Sequence, residues 1–302
     1  MTMVRGSIII ACSAIGALSA SAQATLVRDT ISSGGRVREY YFAAADTAPA
    51  SPAPLVLFFH GGGGNARGAA ARYGFSEAAH GAIVVYPAGI DHHWSDGRDF
   101  FRNADDIAFT RALLARLEKR WRIDSSRVFA VGHSNGGIMI YTLACRLPGA
   151  FAAIGTLGSA LPVNDIPRCT GARPLSVIAI HGTEDPLVYY DGGGRRGAML
   201  GAEKNAAYFA RLAGCDSTPT RTDLPPRTPT SQTHAMRIEF TNCAHGRAVV
   251  LYELVGAGHG WPGESGPMPD SIVGPPSDAV SASALIWEFL ESHATNGASG
   301  KI

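Results

Sequence analysis

A glycine-flanked serine turn joins an apolar strand to an apolar helix near the middle of the chain. The turn is Gly132-His133-Ser134-Asn135-Gly136, which fits the pattern G-x-S-x-G, and it lies between the apolar stretches 128–131 and 138–143. A strand that turns this sharply into a helix holds its serine in a strained, exposed conformation, and only small residues fit two positions to either side. The pattern therefore predicts an α/β fold with Ser134 as a nucleophile. The alternative is an ordinary turn with a capping serine.

Strand patterns and helix patterns alternate along the rest of the chain. Short apolar runs bounded by turn residues predict strands that are buried on both faces of a sheet. Apolar residues at helical spacing predict the helices between them. This alternation indicates a mostly parallel central sheet with helices on both faces. The predicted strands are 36–42, 55–59, 82–86, 128–131, 151–157, 175–180, 235–240 and 248–255, and the predicted helices are 105–120, 136–147, 203–213 and 278–293.

The chain length and the absence of a repeat in the sequence predict one domain. The 302 residues are enough for a single α/β domain with a substantial core. We therefore expect residues 25–302 to form one catalytic domain. Two segments are predicted to be irregular: the aromatic and polar stretch 89–102 as a surface loop, and the Pro- and Thr-rich stretch 217–233 as an exposed excursion.

The first 24 residues carry the pattern of a signal peptide. Arg5 supplies a short positive region, residues 8–18 form an apolar run, and Ala22-Gln23-Ala24 is an A-x-A cleavage site. The apolar run is too short for a membrane anchor. Cys12 closes a loose lipoprotein box, an alternative weakened by the short apolar sequence before it. The sequence thus predicts a signal peptide over residues 1–24 and a secreted protein, extracellular or periplasmic.

Charge and cysteine content describe the mature chain. The full sequence has 26 Lys and Arg and 25 Asp and Glu, and cleavage removes one base and no acid, which leaves 25 of each. A neutral chain has no field to attract nucleic acid or an anionic membrane, so neither is an expected partner. The four remaining cysteines indicate two disulfides in an exported protein. Three pairings are open, and Cys145–Cys169 with Cys215–Cys243 is favoured because each pair brackets one local segment.

A glycine run follows the predicted strand 55–59. The run is His60-Gly61-Gly62-Gly63-Gly64-Asn65. A serine nucleophile needs backbone amides that stabilise the negative oxygen of its intermediate, and glycine lets the backbone approach that oxygen. One amide belongs to the residue after the nucleophile, Asn135, and another to a loop after an earlier strand. The second predicted donor is Gly62, with Gly61 next. The alternative, a phosphate-binding loop, lacks its G-K-[ST] ending.

An acid and a histidine also follow predicted strands. Asp185 lies before Pro186, which rigidifies the turn, and Glu184 is the alternative acid. His259 lies on a glycine-flanked loop later in the chain. The chain order Ser134, acid, histidine is one that serine hydrolases use. The sequence predicts that Asp185 orients His259, and that His259 takes the proton of Ser134.

The other histidines are interpreted as structural. His60 and His181 end strands and are predicted to order their loops by hydrogen bonds, and His133 is predicted to point away from the reaction. His92 and His93 have no further ligands at metal-site spacing, so no metal and no cofactor is expected.

These motifs together resemble the secreted esterases related to feruloyl esterases of carbohydrate esterase family 1 and to polyhydroxybutyrate depolymerases. The resemblance implies an α/β-hydrolase fold, ester hydrolysis and a catalytic triad on Ser134, Asp185 and His259. The family also tends to pair its cysteines locally, in line with the favoured pairing. The matching stretches run in order along the chain: 54–64, 86–89, 94–98, 105–109, 123–128, 132–137, 181–186 and 256–263.

Two departures from the family leave the acyl specificity open. The glycine run has four glycines where relatives often have a bulkier residue or a cysteine, and Gly260 stands where Thr is common. Both positions are expected near the acyl pocket. Trp94 and Trp261 are candidates to stack on an aromatic acyl group, and ordinary packing is the alternative for both.

The leading functional hypothesis is a feruloyl (hydroxycinnamoyl) esterase that acts on plant cell-wall polysaccharide. The alternatives within the same chemistry are a polyhydroxybutyrate oligomer depolymerase and an acetylxylan-type esterase. An alternative of a different class is a non-catalytic binding protein on a hydrolase scaffold.

Overall fold

The architecture is a central sheet with helices on both faces. A computed structural model of the chain describes residues 25–43, 51–98, 104–194, 197–264 and 268–294, and the predicted signal peptide lies outside these ranges. The strands of the described residues are β1 (Leu26–Ser33), β2 (Arg36–Ala43), β3 (Ala53–Phe59), β4 (Ile83–Pro87), β5 (Ile123–His133), β6 (Ala153–Leu157), β7 (Ser176–Gly182), β8 (Thr220–Leu224), β9 (His234–Phe240) and β10 (Val249–Val255).

All of these strands belong to one sheet, in the order β1-β2-β4-β3-β5-β6-β7-β10-β9-β8. The central strands from β4 to β10 are parallel. Antiparallel strands extend the sheet at both edges. This is the predicted, mostly parallel sheet. Its parallel strands all end at the same edge, where the segments that carry the glycine run, Ser134, Asp185 and His259 begin.

Helices cover both faces because the central strands are apolar on both. Every residue of β3 is buried, and successive side chains enter opposite cores: Leu57 and Phe59 pack in one cluster, Val56 and Phe58 in the other. The helices α3 (Asp106–Arg120), α4 (Asn135–Arg146) and α5 (Ala202–Leu212) contribute to the first cluster, and α1 (Ala66–Arg72), α2 (Phe75–Ala78) and α7 (Ala282–Ser292) to the second. A short helix, α6 (Asp270–Val273), lies beside the loop after β10.

The structure differs from the sequence prediction in several elements. The strand β1 and the short helices α1, α2 and α6 were not predicted. The stretch 217–233 is exposed as predicted, but it includes β8, an edge strand whose polar residues give no apolar alternation. The stretch 89–102 is not a simple surface loop, because Trp94 and Asp96 within it are fully buried.

The favoured disulfide pairing is confirmed. Cys145 at the end of α4 is bonded to Cys169, and Cys215 is bonded to Cys243. A search of the described residues for a helix long and apolar enough to cross a membrane finds none.

Candidate active site

The turn between β5 and α4 holds Ser134 in a rare backbone conformation. Ser134 has φ 53° and ψ −125°, a left-handed region that is costly for a residue with a Cβ atom. A Cβ on Gly136 would lie 2.2 Å from the carbonyl oxygen of Phe59, and one on Gly132 would lie 2.8 Å from a backbone atom of Gly136. The predicted need for small residues at both positions is confirmed, and it comes from contact with the end of β3 and with the first turn of α4.

Asp185 and His259 form a buried hydrogen-bonded pair. The loops after β7 and β10 carry them, and these two strands are parallel neighbours in the sheet. His259 Nδ1 donates to Asp185 Oδ2 at 2.6 Å, and both residues are almost fully buried. The other carboxylate oxygen of Asp185 accepts the amides of Leu187 and Val188, each at 2.8 Å. The carboxylate is therefore fixed in one orientation toward the imidazole.

Asp185 is held in its ionised form. Burial by itself would raise the pKa of this carboxyl, but hydrogen bonds and charge interactions with His181 and His259 outweigh it and hold the pKa well below its usual range. The imidazole of His181 lies 3.5 Å from Asp185 Oδ2 and donates from Nε2 to the carbonyl oxygen of Val188 at 2.8 Å. A charged carboxylate at this point fixes the tautomer in which Nδ1 of His259 carries the proton.

The second nitrogen of His259 is free to act as a base. Nε2 is buried and has no hydrogen-bond partner within the described part of the chain. Because Nδ1 donates to Asp185, Nε2 carries the lone pair of the neutral imidazole. An unpaired buried polar atom is costly, and a catalytic role is one explanation for it.

The end of β6 brings Ser134 close to His259. The Ser134 amide donates to the carbonyl oxygen of Leu157, the last residue of β6, at 2.8 Å. A Cβ on the next residue, Gly158, would lie 2.9 Å from His259 Nδ1. The structure thus places the serine turn and the imidazole against the consecutive residues Leu157 and Gly158, and no hydrogen bond joins His259 Nε2 to the Ser134 hydroxyl.

His133 fastens the loop of His259 to the turn of Ser134, a contact that the sequence interpretation missed. Its Nε2 donates to the backbone oxygen of His259 at 2.8 Å, and its Nδ1 lies 3.1 Å from the hydroxyl of Tyr73. Burial, together with the nearby His259, lowers the pKa of His133 to about 3, so the ring stays neutral. The signal for this contact in the sequence was that His133 directly precedes the proposed nucleophile.

The glycine run lies against the serine turn. A Cβ on Gly62 would lie 3.3 Å from Asn135 Cβ, and one on Gly61 would lie 3.5 Å from Ser134 Cβ. The loop is ordered by histidines, as predicted for His60: its Nε2 accepts the amide of Gly89 at 3.0 Å. A further contact, not predicted, is the amide of Gly63 to the carbonyl oxygen of His92 at 2.9 Å. The two predicted oxyanion donors are therefore neighbours.

Trp94 and Trp261 are core residues, which corrects the expectation that they stack on an acyl group. Trp94 is 0% exposed and donates from its indole to the carbonyl oxygen of His60 at 2.9 Å. Trp261 is 3% exposed, stacks on Tyr73 with ring centroids 4.6 Å apart and donates to Ser283 Oγ. Neither ring has a free face for a ligand, and the packing alternative is the correct one.

No cluster of three or more His, Cys, Asp or Glu residues with the geometry of a metal site occurs in the described ranges. His92 and His93 instead pack against the glycine run. His92 Nδ1 lies 2.8 Å from the carbonyl oxygen of Gly64, and His93 borders Gly62.

Sequence comparison finds esterases that match over most of their length. No protein-family model matches the chain. The chain is 31% identical over 290 residues to a protein named "Putative esterase NocK" from Nocardia uniformis subsp. tsuyamanensis, covering 89% of this chain and 83% of that one. It is 31% identical over 225 residues to "Feruloyl esterase C" of Emericella nidulans, covering 72% of this chain and 75% of the relative.

A solved structure shares the fold. The acetyl xylan esterase from Aspergillus awamori aligns with a TM-score of 0.57 at 17% identity, over 78% of this chain and 94% of its own. That identity is too low to carry more than the fold. The sequence relatives and the geometry at the sheet edge agree, and the chain belongs to the feruloyl esterase-like family of α/β-hydrolases, which are carboxylic ester hydrolases.

Proposed function

We propose that this protein hydrolyses carboxylic esters through an acyl-enzyme formed on Ser134. The observation that carries the proposal is the 2.6 Å bond between His259 Nδ1 and Asp185, which leaves Nε2 buried and unpaired beside the strained serine turn. A base, the group that orients it and a nucleophile at one sheet edge are what acyl transfer needs.

The reaction has two halves. His259 Nε2 takes the hydroxyl proton as Ser134 Oγ attacks the ester carbonyl, and Asp185 stabilises the imidazolium that forms. The amides of Asn135 and Gly62 donate to the oxyanion, each contributing about 3 kcal/mol to the transition state. The imidazolium gives its proton to the leaving alcohol. Water then attacks the acyl-enzyme with the same base and releases the acid and the free hydroxyl of Ser134.

The favoured substrate is a hydroxycinnamoyl ester of plant cell-wall polysaccharide. Several of the sequence relatives are named feruloyl esterases, and those of Emericella nidulans and Piromyces equi are 31% and 29% identical to this chain. A polyhydroxybutyrate oligomer and an acetylated xylan are the competing ester classes. Ferulate, acetate and hydroxybutyrate esters share the carbonyl chemistry and differ in the acyl group.

We further propose that the acyl group lies on an apolar rim formed by Leu187, Tyr189 and Ile272. These side chains are 46%, 40% and 47% exposed. Leu187 donates its amide to Asp185, and Ile272 precedes Val273, whose carbonyl oxygen accepts the amide of His259. Because Trp94 and Trp261 are buried, the rim offers the exposed apolar surface beside the proposed acid and base.

The proposal extends to export and domain organisation. Residues 1–24 act as a cleaved signal peptide, and residues 25–302 form the secreted catalytic domain. The pattern of Arg5, the apolar run and the A-x-A site supports this assignment, as do two disulfides that suit an oxidising compartment. Mass spectrometry of the mature N-terminus after expression with the native leader tests it, and a chain that retains residue 1 contradicts it.

The decisive experiment maps the nucleophile and the acyl preference together. A fluorophosphonate is expected to label Ser134, and Ser134→Ala is expected to abolish turnover with little change in Tm. Methyl ferulate, a hydroxybutyrate trimer and p-nitrophenyl acetate are offered side by side. Ser126→Ala, at the far end of β5, is the control and keeps wild-type activity. Labelling at another residue, or strong activity in Ser134→Ala, contradicts the proposed nucleophile.

A further inference from the structure

The segment Trp94-Ser95-Asp96-Gly97-Arg98 is buried beside the serine turn, and the proposed mechanism gives it no role. Trp94 and Asp96 are 0% exposed and Arg98 is 8% exposed. Buried charge is costly unless it is paired. The position of this charged segment against the first turn of α4 therefore needs a specific explanation.

The side chain of Asn135 is bonded to this segment on every side. Asn135 Oδ1 accepts the backbone amide of Trp94 at 2.8 Å, and Nδ2 donates to the carbonyl oxygen of Trp94 at 3.1 Å and to Asp96 Oδ2 at 2.5 Å. Both N–H groups of the amide and its oxygen are used. The residue is 4% exposed, so these bonds do not compete with bulk water. Asn135 is also the residue whose backbone amide is the first proposed oxyanion donor.

Trp94 connects this residue to the second donor. Its backbone holds the side chain of Asn135, while its indole donates to the carbonyl oxygen of His60 at 2.9 Å. His60 begins the loop that carries Gly62. The two proposed donors are thus joined by one buried residue, and they lie side by side, since a Cβ added to Gly62 would lie 3.3 Å from Asn135 Cβ.

Asp96 is in turn fixed by groups that do not touch the site. Arg98 donates to both of its carboxylate oxygens, from Nε at 3.0 Å to each and from Nη2 at 2.5 Å. Thr142 Oγ1 donates to the carbonyl oxygen of Asp96 at 2.8 Å. Gly97 has φ +86°, and a Cβ there would lie 2.0 Å from a carboxylate oxygen of Asp165. The Asp96 carboxylate is therefore held in one position, and Asn135 is bonded to it there.

We propose that Asp96 and the side chain of Asn135 are positioning residues that set the spacing of the two oxyanion donors. The inference rests on the proposed function, because it assumes that the amides of Asn135 and Gly62 meet the same oxyanion. It gives the segment 94–98, which lies outside the proposed triad, a role in catalysis. A donor that is misplaced by a fraction of an ångström loses transition-state binding while substrate binding is largely kept.

The test compares Asn135→Ala, Asp96→Ala and Asp96→Asn with the control Ser76→Ala. The two alanine variants are expected to lower kcat on p-nitrophenyl acetate roughly 10- to 100-fold, with KM within about twofold, because they displace a donor without removing it. Affinity for a trifluoromethyl ketone, which forms an oxyanion on the serine, falls by the same factor as kcat/KM. Asp96→Asn keeps an oxygen that can accept from Asn135, so its kcat is expected to lie between those of the wild type and Asp96→Ala. Ser76→Ala removes a hydrogen bond to Tyr86 in the core on the opposite face of the sheet from Trp94, and it lowers Tm without this loss of kcat.

Amide hydrogen exchange in a peptide spanning residues 132–138 gives a measurement that needs no substrate. Exchange is expected to rise in Asp96→Ala and to stay at the wild-type level in Ser76→Ala. Wild-type kcat and exchange in folded Asn135→Ala and Asp96→Ala proteins would overturn the positioning role. A protein that cleaves no ester but shows the predicted exchange would instead contradict the proposed function and leave the positional coupling standing.

Discussion

Two walls of the candidate site differ in polarity and in exposure to solvent. The wall behind the serine turn is buried and polar, and Asn135 and Asp96 are bonded to one another there beside the proposed oxyanion donors. The wall formed by the loops of Asp185 and His259 carries Leu187, Tyr189 and Ile272, the proposed apolar rim, whose side chains are about half exposed. A rigid polar wall suits the carbonyl group that every ester shares, and an open apolar wall suits the acyl group that differs. The comparison predicts that rate and selectivity are controlled by separate residues.

The largest expected effect comes from the buried pair of Asp185 and His259, on which every ester would depend. Asp185→Asn keeps the shape of the acid but favours the wrong tautomer of His259, so kcat is expected to fall roughly 10⁴-fold for every acyl group. Steady-state kinetics with an acetate ester and a ferulate ester measure it. Glu184→Gln, the exposed alternative acid, is the control and stays within about twofold. A large loss in Glu184→Gln with activity kept in Asp185→Asn would reverse the assignment.

Acid is expected to weaken the polar side of the site. Burial lowers the pKa of His133 to about 3 and that of His60 to about 4, from an unfolded value of 6.5. Below pH 6.5 these two histidines bind protons in the unfolded chain but stay neutral in the folded protein. The free energy of unfolding therefore falls as the pH drops toward 4. His133 alone accounts for up to about 3 kcal/mol between pH 7 and 4.5.

Urea unfolding at several pH values in this range measures the effect. His133→Gln keeps a donor for the backbone oxygen of His259 and is expected to flatten the slope. Leu187→Ser, on the apolar rim, leaves the slope unchanged. Equal slopes in wild type and His133→Gln would show that His133 does not stay neutral in the folded protein.

Selectivity is expected to follow the rim. Leu187→Ser and Ile272→Ser each remove apolar contact with a large acyl group, so the ratio of kcat/KM for methyl ferulate to that for p-nitrophenyl acetate falls about tenfold. Val37→Ser, a change on β2 at a side chain that is 66% exposed, is the control. A proportional loss on both esters would mean that the rim acts on rate, and the separation of the two walls would fail.

The smallest expected effect concerns the buried tryptophan. Trp261→Phe keeps the aromatic packing on Tyr73 and loses the hydrogen bond to Ser283, which costs about 1 kcal/mol of stability. The ferulate-to-acetate ratio is expected to stay unchanged. Thermal unfolding and the two kinetic assays check this, and a change of selectivity would return Trp261 to the acyl pocket.

Short-range patterns carried much of the fold. Apolar runs such as 55–59 predicted strands that are buried on both faces, because two-sided burial requires consecutive apolar residues. Asp105 and Asp106 marked the start of α3, where the Asp105 carboxylate accepts the amide of Ala108. The polar edge strand β8 had no such signature, since its pairing with β9 comes from the neighbouring strand and not from its own side chains.

The sequence by itself determined the chemistry that is available at one sheet edge: a serine in a glycine-flanked turn, an acid, a histidine and a glycine run, each directly after a strand. Strand order and parallel direction then force these ends together, and a strand end is visible in local pattern. Only the tertiary structure decided which side chains are buried and which are exposed around this edge. It buried Trp94 and Trp261, tied Asn135 to Asp96 and left Leu187 and Ile272 exposed. Burial is a property of neighbours distant in the chain, and residue type alone does not encode it.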